Sequence, residues 1–481
     1  MASTVKSIED FQDVEDPFRE PTDTRCMQTL TEDGDALRFV EKYRGVIRYA
    51  AGRWHYYDGI CWIKDERNKV PGLVTELIRE AGKKTFDIKD DIKKQNRFVK
   101  YWVDSLRLSH IRAVLGLASY NQEVTMKFED FDADPFLLNC LNGTFDLRGK
   151  YFRGHDPKDL ITKAMNVEYD EKADCPMWED FIETITRDAV GDDRPDVAKY
   201  LQTLLGYALY GEFEEKVFPV CFGPPDTSKS TFFEVLTFVF GSYHAAADVT
   251  AFDMGRYANS GHTDSIAALR GARLITATEP KEFFNLNSSL IKRVTGNDTF
   301  QASHKHEQTF NMKIVGLMML ATNHRMMISA TDDAVWIRVK EIPFENVIPK
   351  TMQIKGYAEE LKQEGPGILN WLIDGWHLYR AIKGKIEPPK VVAQNTKEYQ
   401  RSQDKVESFL EECCKLDDPE AKTRSSELHR IYSIWLKRNG FRTESNRAFT
   451  FTMERKGQFR TRDSKAVWWQ GIEPNDDWMA V

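Results

Sequence analysis

The sequence predicts an α/β protein centred on a sheet covered on both faces, with a smaller α+β unit before it and helices with a β-wing after it. Three observations carry that expectation. Apolar runs at 217–222 (VFPVCF), 272–278 (ARLITAT) and 314–322 (IVGLMMLAT) alternate with helical patterns, and strands this apolar suit a sheet covered on both faces. An Asp58-Gly59 step divides two aromatic, β-branched runs in VIRYAAGRWHYYDGICWIKD, a strong hairpin signal. Helical patterns around 396–415 and 425–438 give way to a short aromatic β region ending VWWQGI.

Taken in order, residues 1–30 have few clustered apolars and read as a disordered tail. Residues 31–165 read as the α+β domain. Leu37, Phe39 and Val40 near Tyr43 start a helix, the Asp58-Gly59 hairpin follows, and helical patterns run from about 70 to 120. LLNCLNGTFDLRGKYFRGHDP (137–157) is a second hairpin region with Asn142-Gly143 as its turn. MWEDFIETITRDAV and DVAKYLQTLLGYALYG, within 166–213, place apolars at helical spacing and form a connector. Residues 214–384 hold the three strands and a helical region at 356–382, broken at Gly365-Pro366-Gly367. Pro219 belongs at the first residues of its strand, because proline lacks the ladder donor. KIEPPK (385–390) is a linker, and 391–481 is a C-terminal domain of winged-helix shape.

A net charge of −8 taken whole argues against a nucleic-acid partner, but the charge is uneven. Residues 421–470 hold 12 Lys/Arg against 4 Asp/Glu, compatible with a nucleic-acid or acidic-partner module and equally with a solvated basic face. The seven cysteines are scattered without a CxxC pair, which disfavours a disulfide framework or zinc site and suits a reducing cytosol. No apolar run approaches the roughly 18 residues of a membrane span, and the start is polar and acidic, unlike a secretory signal. A cytoplasmic protein with no membrane association is expected.

The sharpest motif is CFGPPDTSKSTFFEVL (221–236). An apolar strand leads to Gly223, four residues, Ser228, then Lys229-Ser230 and a run able to form a helix capped by Gly241. This is the layout of a phosphate-binding loop, with Ser228 where glycine is usual. Such loops aim consecutive backbone N–H groups at phosphates from a helix N-terminus. Gly223, Pro224, Pro225, Asp226, Thr227, Ser228, Lys229, Ser230 and Thr231 are therefore the candidate ATP contacts, with Lys229 beside the transferred phosphoryl and Ser230 on Mg²⁺. If position 228 needs positive φ, serine there costs about 1 kcal/mol, which weakens such a site without abolishing it.

Hydrolysis also needs a carboxylate to organise Mg²⁺ and water. Glu279 directly follows the ARLITAT strand, and strand C-terminal ends in open α/β sheets face the ligand crevice. A second strand ends in Asn323, able to orient water, and Arg338 in DDAVWIRVKEIPF could stabilise transition-state charge on a neighbouring subunit's ATP. Taken singly, each has a bland alternative: a surface Glu, a turn-capping Asn, a solvated Arg.

The order of loop, strand-Glu, LIKRVTGND, strand-Asn and D-x-A-x-W-x-R…IPF resembles the superfamily 3 helicases, specifically the phage/plasmid primase group with its poxvirus-type primase-helicase relatives. The resemblance covers about 35–472. WHYYDGICW, LNGTFDLRGKYFRGHDP and YDEKADCPMWEDFI resemble that family's amino-terminal helicase-associated region, and TKEYQRSQDKVESFLEECC with SSELHRIYSIWLKRNG its carboxy-terminal DNA-associated domain. The resemblance implies an AAA+-like P-loop core, a hexameric homo-oligomeric ring with 166–213 as collar, ATP and Mg²⁺ as cofactors, and 3′→5′ travel on single-stranded DNA. It implies forked or origin DNA as substrate and replication of a phage or mobile element in a bacterial cytoplasm; recruitment of a separate primase or other replication proteins stays open. It assigns Lys229 and Ser230 the loop roles, Glu279 the Mg²⁺-organising acid, Asn323 the sensor and Arg338 the arginine finger. A basic channel hairpin of the family corresponds to QASHKHEQTF, where Lys305 with His304 or His306 would touch phosphates, or form only a polar turn. Lys292 and Arg293 support either the site or the channel. Two departures stand out: Ser228 in the loop, and Thr278 where many members place a second acid. With about 30 residues ahead of the helicase-associated region, and no paired-acid or zinc motif there, a helicase without a primase domain is expected. The alternatives are an ATP-binding DNA ring or loader with slow turnover, and a primase-helicase with an unrecognised priming centre.

Overall fold

The computed structural model describes residues 30–478 apart from 90, 150, 249–251, 253–261, 279–283, 303–309, 331, 440, 442, 465 and 476–477. Its centre is a five-stranded sheet of β1 (Phe218–Phe222), β2 (His244–Ala246), β3 (Leu274–Thr278), β4 (Leu317–Thr322) and β5 (Val339–Pro343). All pairs are parallel, in the order β5-β1-β4-β3-β2. The three apolar runs are thus the three inner strands. The sequence reading missed the short edge strand β2 and also β5, where charged residues interrupt the apolar run.

Alternate residues of the strands enter two cores, which explains their lack of polar alternation. Cys221, Leu317, Met319 and Ile342 face one core with helix α1 (Lys229–Phe240). Phe218, Val220, Met318 and Leu320 face the other. Pro219 is the second residue of β1; it lies opposite Lys340 of β5, and the pairing with β4 begins only at Val220. Its missing donor therefore falls where the ladder to β4 has not started.

The connector forms helices Pro176–Thr186 and Pro195–Tyr207, and the second packs on helix Gly365–Ala381. There Gly206 and Gly375 meet: a Cβ on Gly206 would lie 2.1 Å from the Gly375 carbonyl carbon, so only glycine allows this backbone approach. The break in the 356–382 helical region falls at Glu364, one residue before the Gly-Pro-Gly. Glu364 earns its place by accepting from the amides of Met177 (3.2 Å) and Trp178 (2.9 Å) at the start of the connector.

Residues 31–165 divide between two environments. Helices Glu32–Tyr43, Lys69–Lys84, Ile92–Ser105 and Leu108–Ala118 bury their own core with strand Ile47–Ala50. The meander Leu137–Cys140, Gly143–Asp146, Tyr151–Arg153 instead sends Leu138 and Phe145 into the core under α1. Its first turn is Leu141-Asn142, one residue before the expected step, since Cys140 pairs with Gly143.

At the other end, helix Lys390–Ser402 packs on β5: Thr396 Oγ1 accepts from the Glu341 amide at 2.9 Å, and Tyr399 donates to the Met326 carbonyl at 2.6 Å. Beyond it the chain runs helix Lys405–Cys413, strand Lys422–Arg424, helices Ser425–Arg438 and Asn446–Arg455, then strands Arg460–Arg462 and Val467–Gln470. The strands pair antiparallel with Val467–Gln470 in the middle, and a separate core of Phe409, Tyr432, Phe449 and Trp469 lies beneath. Among the described residues no helix is long and apolar enough to cross a membrane.

Candidate functional site

The loop after β1 leaves the sheet at its C-terminal edge. Gly223 is required by packing: a Cβ there would sit 1.8 Å from the Phe344 carbonyl oxygen, just past β5. Pro224, Pro225 and Asp226 are exposed, and Asp226 adopts φ +63° while its carbonyl accepts from the Ile348 amide at 2.8 Å. Ser228 has φ +61°, ψ +17°, so the position does require the left-handed region that glycine usually fills. The strain is about 1 kcal/mol.

That geometry has a consequence for the amides. A capping serine needs extended backbone to reach back to the first turn of its helix. Ser228 makes no side-chain cap bond, and the first-turn N–H groups of α1 have no intrahelical acceptors. Thr227 is buried and donates to the Pro224 carbonyl at 3.0 Å. Lys229 is 8% exposed, with Nζ donating to Gly223 O (2.9 Å), Pro224 O (2.8 Å) and Thr227 Oγ1 (2.8 Å). Burial pushes its ammonium pKa below the usual lysine value. Ser230 is exposed on the first turn and Thr231 half-buried.

The neighbouring strand ends are level with the loop. Thr278 pairs with Ala321, which pairs with Cys221, so β3, β4 and β1 finish together. Glu279, next after β3, lies outside the described residues. Asn323 follows β4 and is exposed. Thr322 shapes its turn, accepting from the His324 amide (3.0 Å) and donating to the His324 carbonyl (2.6 Å).

Arg338 is elsewhere. It precedes β5 and its carbonyl accepts from the Phe218 amide at 2.7 Å, at the opposite edge of the sheet from the loop. Its Nε donates to Thr295 Oγ1 at 2.8 Å. Lys292 pairs with Asp332 at 3.0 Å, and the Arg293 guanidinium lies 4.3 Å from the Phe300 ring centroid. Phe300 belongs to the antiparallel hairpin Thr299–Ala302/Phe310–Lys313, the strands expected around the basic tip. The tip itself, with His304, Lys305 and His306, lies outside the described residues.

Comparison with known proteins bears on this arrangement. Residues 36–187 match the family described as "D5 N terminal like". Over 444 residues, 84% of the chain, it is 24% identical to "Putative helicase L207/L206" of Acanthamoeba polyphaga mimivirus. It is 26% identical over 188 residues to "Putative helicase 022R" of Frog virus 3 (isolate Goorha), covering 35% of the chain. The chain is thus similar to a D5-type N-terminal region over 36–187 and to helicase-named viral proteins over most of its length. The matches span 45% and 19% of those relatives' lengths, respectively. The fold is shared with the C-terminal region of NrS-1, at TM-score 0.50 and 9% identity, covering 91% of this chain and 99% of that one.

One further pair holds the loop edge together, and sequence reasoning missed it. Glu341 of β5 is fully buried and takes a bidentate grip from Arg325, Nε to Oε2 at 3.0 Å and Nη2 to Oε1 at 2.6 Å. Arg325 also lies over the rings of Phe222 (5.1 Å) and Tyr399 (5.3 Å). Burial drives the Glu341 carboxyl upward, and the guanidinium opposes that shift. Arg325 stands two residues after Asn323, so the pair fixes the turn that presents the asparagine. A glutamate among the inward-facing positions of β5, between Val339 and Pro343, was the only signal for it.

Proposed function

We propose that the chain is an ATP-driven nucleic-acid helicase, with the ATP phosphates in the loop 223–231, on the backbone N–H groups after Pro225, and Mg²⁺ held by Ser230 and Glu279. The observation that carries this is the loop: a left-handed Ser228 turns the chain into α1 without capping it, leaving the first-turn amides for an anion. Lys229 spends its donors on loop oxygens, and a bound phosphate would exchange those acceptors for its own. ATP supplies the phosphoryl chemistry when bound. Asn323 would orient the attacking water, from the strand next to the loop.

Arg338 supports a ring. β1 and β5 are five residues long and parallel, so Arg338 and Lys229 are separated by roughly 16 Å of strand at about 3.3 Å per residue. One chain cannot bring both to one γ-phosphate; two neighbouring copies can. We read this as favouring a homo-oligomer with shared ATP sites, and the family resemblance supports a hexamer travelling 3′→5′ on single-stranded DNA during replication of a virus, phage or other mobile element. The hairpin tip would grip the backbone, and Asn446–Arg455 with its flanking strands would engage forked or origin DNA or a replication partner such as a primase. The helix–strand order there fits a winged helix.

Lys229→Ala is the test. ATP hydrolysis should be lost while the far-UV spectrum and DNA binding persist; hydrolysis at the wild-type rate would remove the loop from the mechanism. Ser228 keeps the slow-turnover ring as a second reading, because a strained residue occupies the point of the loop nearest the phosphates.

A further inference from the structure

We propose that the outer face of helix Ile92–Ser105 binds single-stranded nucleic acid, with Lys93, Arg97 and Lys100 on the phosphates and Phe86 against a base. This surface is far in sequence from the ATP loop and from the hairpin. In a chain of net charge −8, residues 83–100 carry seven cations against three carboxylates. Lys93, Arg97 and Lys100 stand at i, i+4 and i+7, so they form one ridge spanning about 10 Å of helix. All three are exposed, while the opposite face buries Trp102 and Ser105.

Two of the nearby described carboxylates are engaged, while Asp87 is exposed in the turn Thr85–Asp87. Asp91 caps the helix by accepting from the Lys94 amide at 2.9 Å, and Asp104 pairs with Arg107 at 2.8 Å. Among the described residues no carboxylate pairs with the three ridge cations. Like charges at i and i+4 weaken a helix, and a merely solvated face would more simply alternate signs. The ridge therefore keeps an arrangement that costs the free protein and that a polyanion would relieve.

Phe86 decides which polyanion. It is 63% exposed and sits in the turn Thr85–Asp87, and its carbonyl accepts from the Gln95 side chain at 3.4 Å, which sets it beside the basic helix. An exposed ring beside a row of cations is the combination that holds single strands, whose bases are free to stack. A duplex offers the ridge its phosphates but leaves the ring uncovered.

The test is anisotropy of a fluorescent oligothymidylate with the full chain and no nucleotide, so its outcome stands apart from that of the ATP site. The triple variant Lys93→Glu, Arg97→Glu, Lys100→Glu should bind about 100-fold more weakly near 0.1 M salt, with the log–log salt slope reduced by about 2. Phe86→Ala should weaken binding several-fold with the slope unchanged. Oligouridylate separates DNA from RNA as the preferred strand. Wild-type affinity and slope in the triple variant would overturn the proposal. So would equal loss on a duplex with no effect of Phe86→Ala, or competition by polyglutamate at matched charge. If the triple variant fails to fold, acetylation footprinting of the wild type replaces it. Lys93 and Lys100 should be protected by the oligonucleotide, and protection no greater than at exposed Lys172 would overturn the proposal.

Discussion

Replacing Arg325 by Met would strip the cation from Glu341 while keeping most of the side chain's apolar contact with Phe222 and Tyr399. Glu341 is fully buried, so the variant leaves an uncompensated carboxyl inside the second core. Breaking a buried pair from one side costs about 3–5 kcal/mol. For a unit of this size that corresponds to a fall of about 10 °C in the melting transition of the sheet. Adding Glu341→Gln removes the stranded charge, and the double variant should regain most of the loss, because an apolar or neutral replacement of both partners is far cheaper than one orphan. The single variant should also lose less stability at acid pH, where the unpaired carboxyl protonates; burial already drives that group upward. The assay is a thermal melt by tryptophan fluorescence, with ATP hydrolysis measured alongside, since Asn323 sits on the turn that Arg325 anchors. A melt of Arg325→Met within about 2 °C of wild type at neutral pH would show that the pair does not hold the loop edge.

Three further outcomes are expected. Ser228→Gly relieves about 1 kcal/mol of left-handed strain but loosens the unfolded chain by a similar amount, so stability should hold and steady-state ATP turnover should change by less than about threefold; a tenfold gain would favour the slow-turnover ring. His55 is buried against Phe131, at 5.0 Å, and burial lowers its pKa to about 4. The unfolded chain therefore takes up its proton at higher pH than the folded one, and stability is lost as pH falls from about 6.5 towards 4. Between pH 7 and pH 5.5 wild type should lose about 1 kcal/mol that His55→Phe does not, read from denaturant midpoints at the two pH values. Arg338→Ala mixed with Lys229→Ala should regain ATP turnover that neither has alone, from interfaces pairing an intact loop with an intact arginine; no regain would assign the arginine no role across a subunit boundary.

The inner strands of the sheet were legible because burial on both faces removes any polar alternation, leaving apolar runs that punctuate the sequence. The turn after β1 was legible because Gly223 and Ser228 mark points where close packing and a positive φ constrain the backbone. What stayed hidden depended on partners distant in sequence. β5 is interrupted by Lys340 and Glu341, and Glu341 makes sense only with Arg325 and Thr396 beside it. The meander at 137–153 looked like part of the N-terminal unit because it follows it in sequence, yet its apolar side chains enter the core under α1. Helix Lys390–Ser402 read as part of the tail for the same reason, and Tyr399 shows where it packs. Order along the chain says which elements exist; it does not say which core each one joins.

The segment 292–295 gives the proposed motor a physical linkage. Arg293 rests on Phe300 of the hairpin, Lys292 holds Asp332 at the start of the short helix Asp333–Trp336, and Thr295 accepts from Arg338 just beyond that helix. The three contacts come from four consecutive residues, so the hairpin and the arginine turn cannot shift independently without breaking one of them. In a ring where Arg338 meets a neighbour's γ-phosphate, loss of that phosphate would release the arginine turn, and the same segment would pass the displacement to the hairpin. Conversely, a strand pulling on the hairpin would load the arginine. Coupling of this kind needs discrete elements with two arrangements, and the element that would carry it is helix Ser288–Val294, with Lys292 and Arg293 in its last turn and Thr295 as its C-cap.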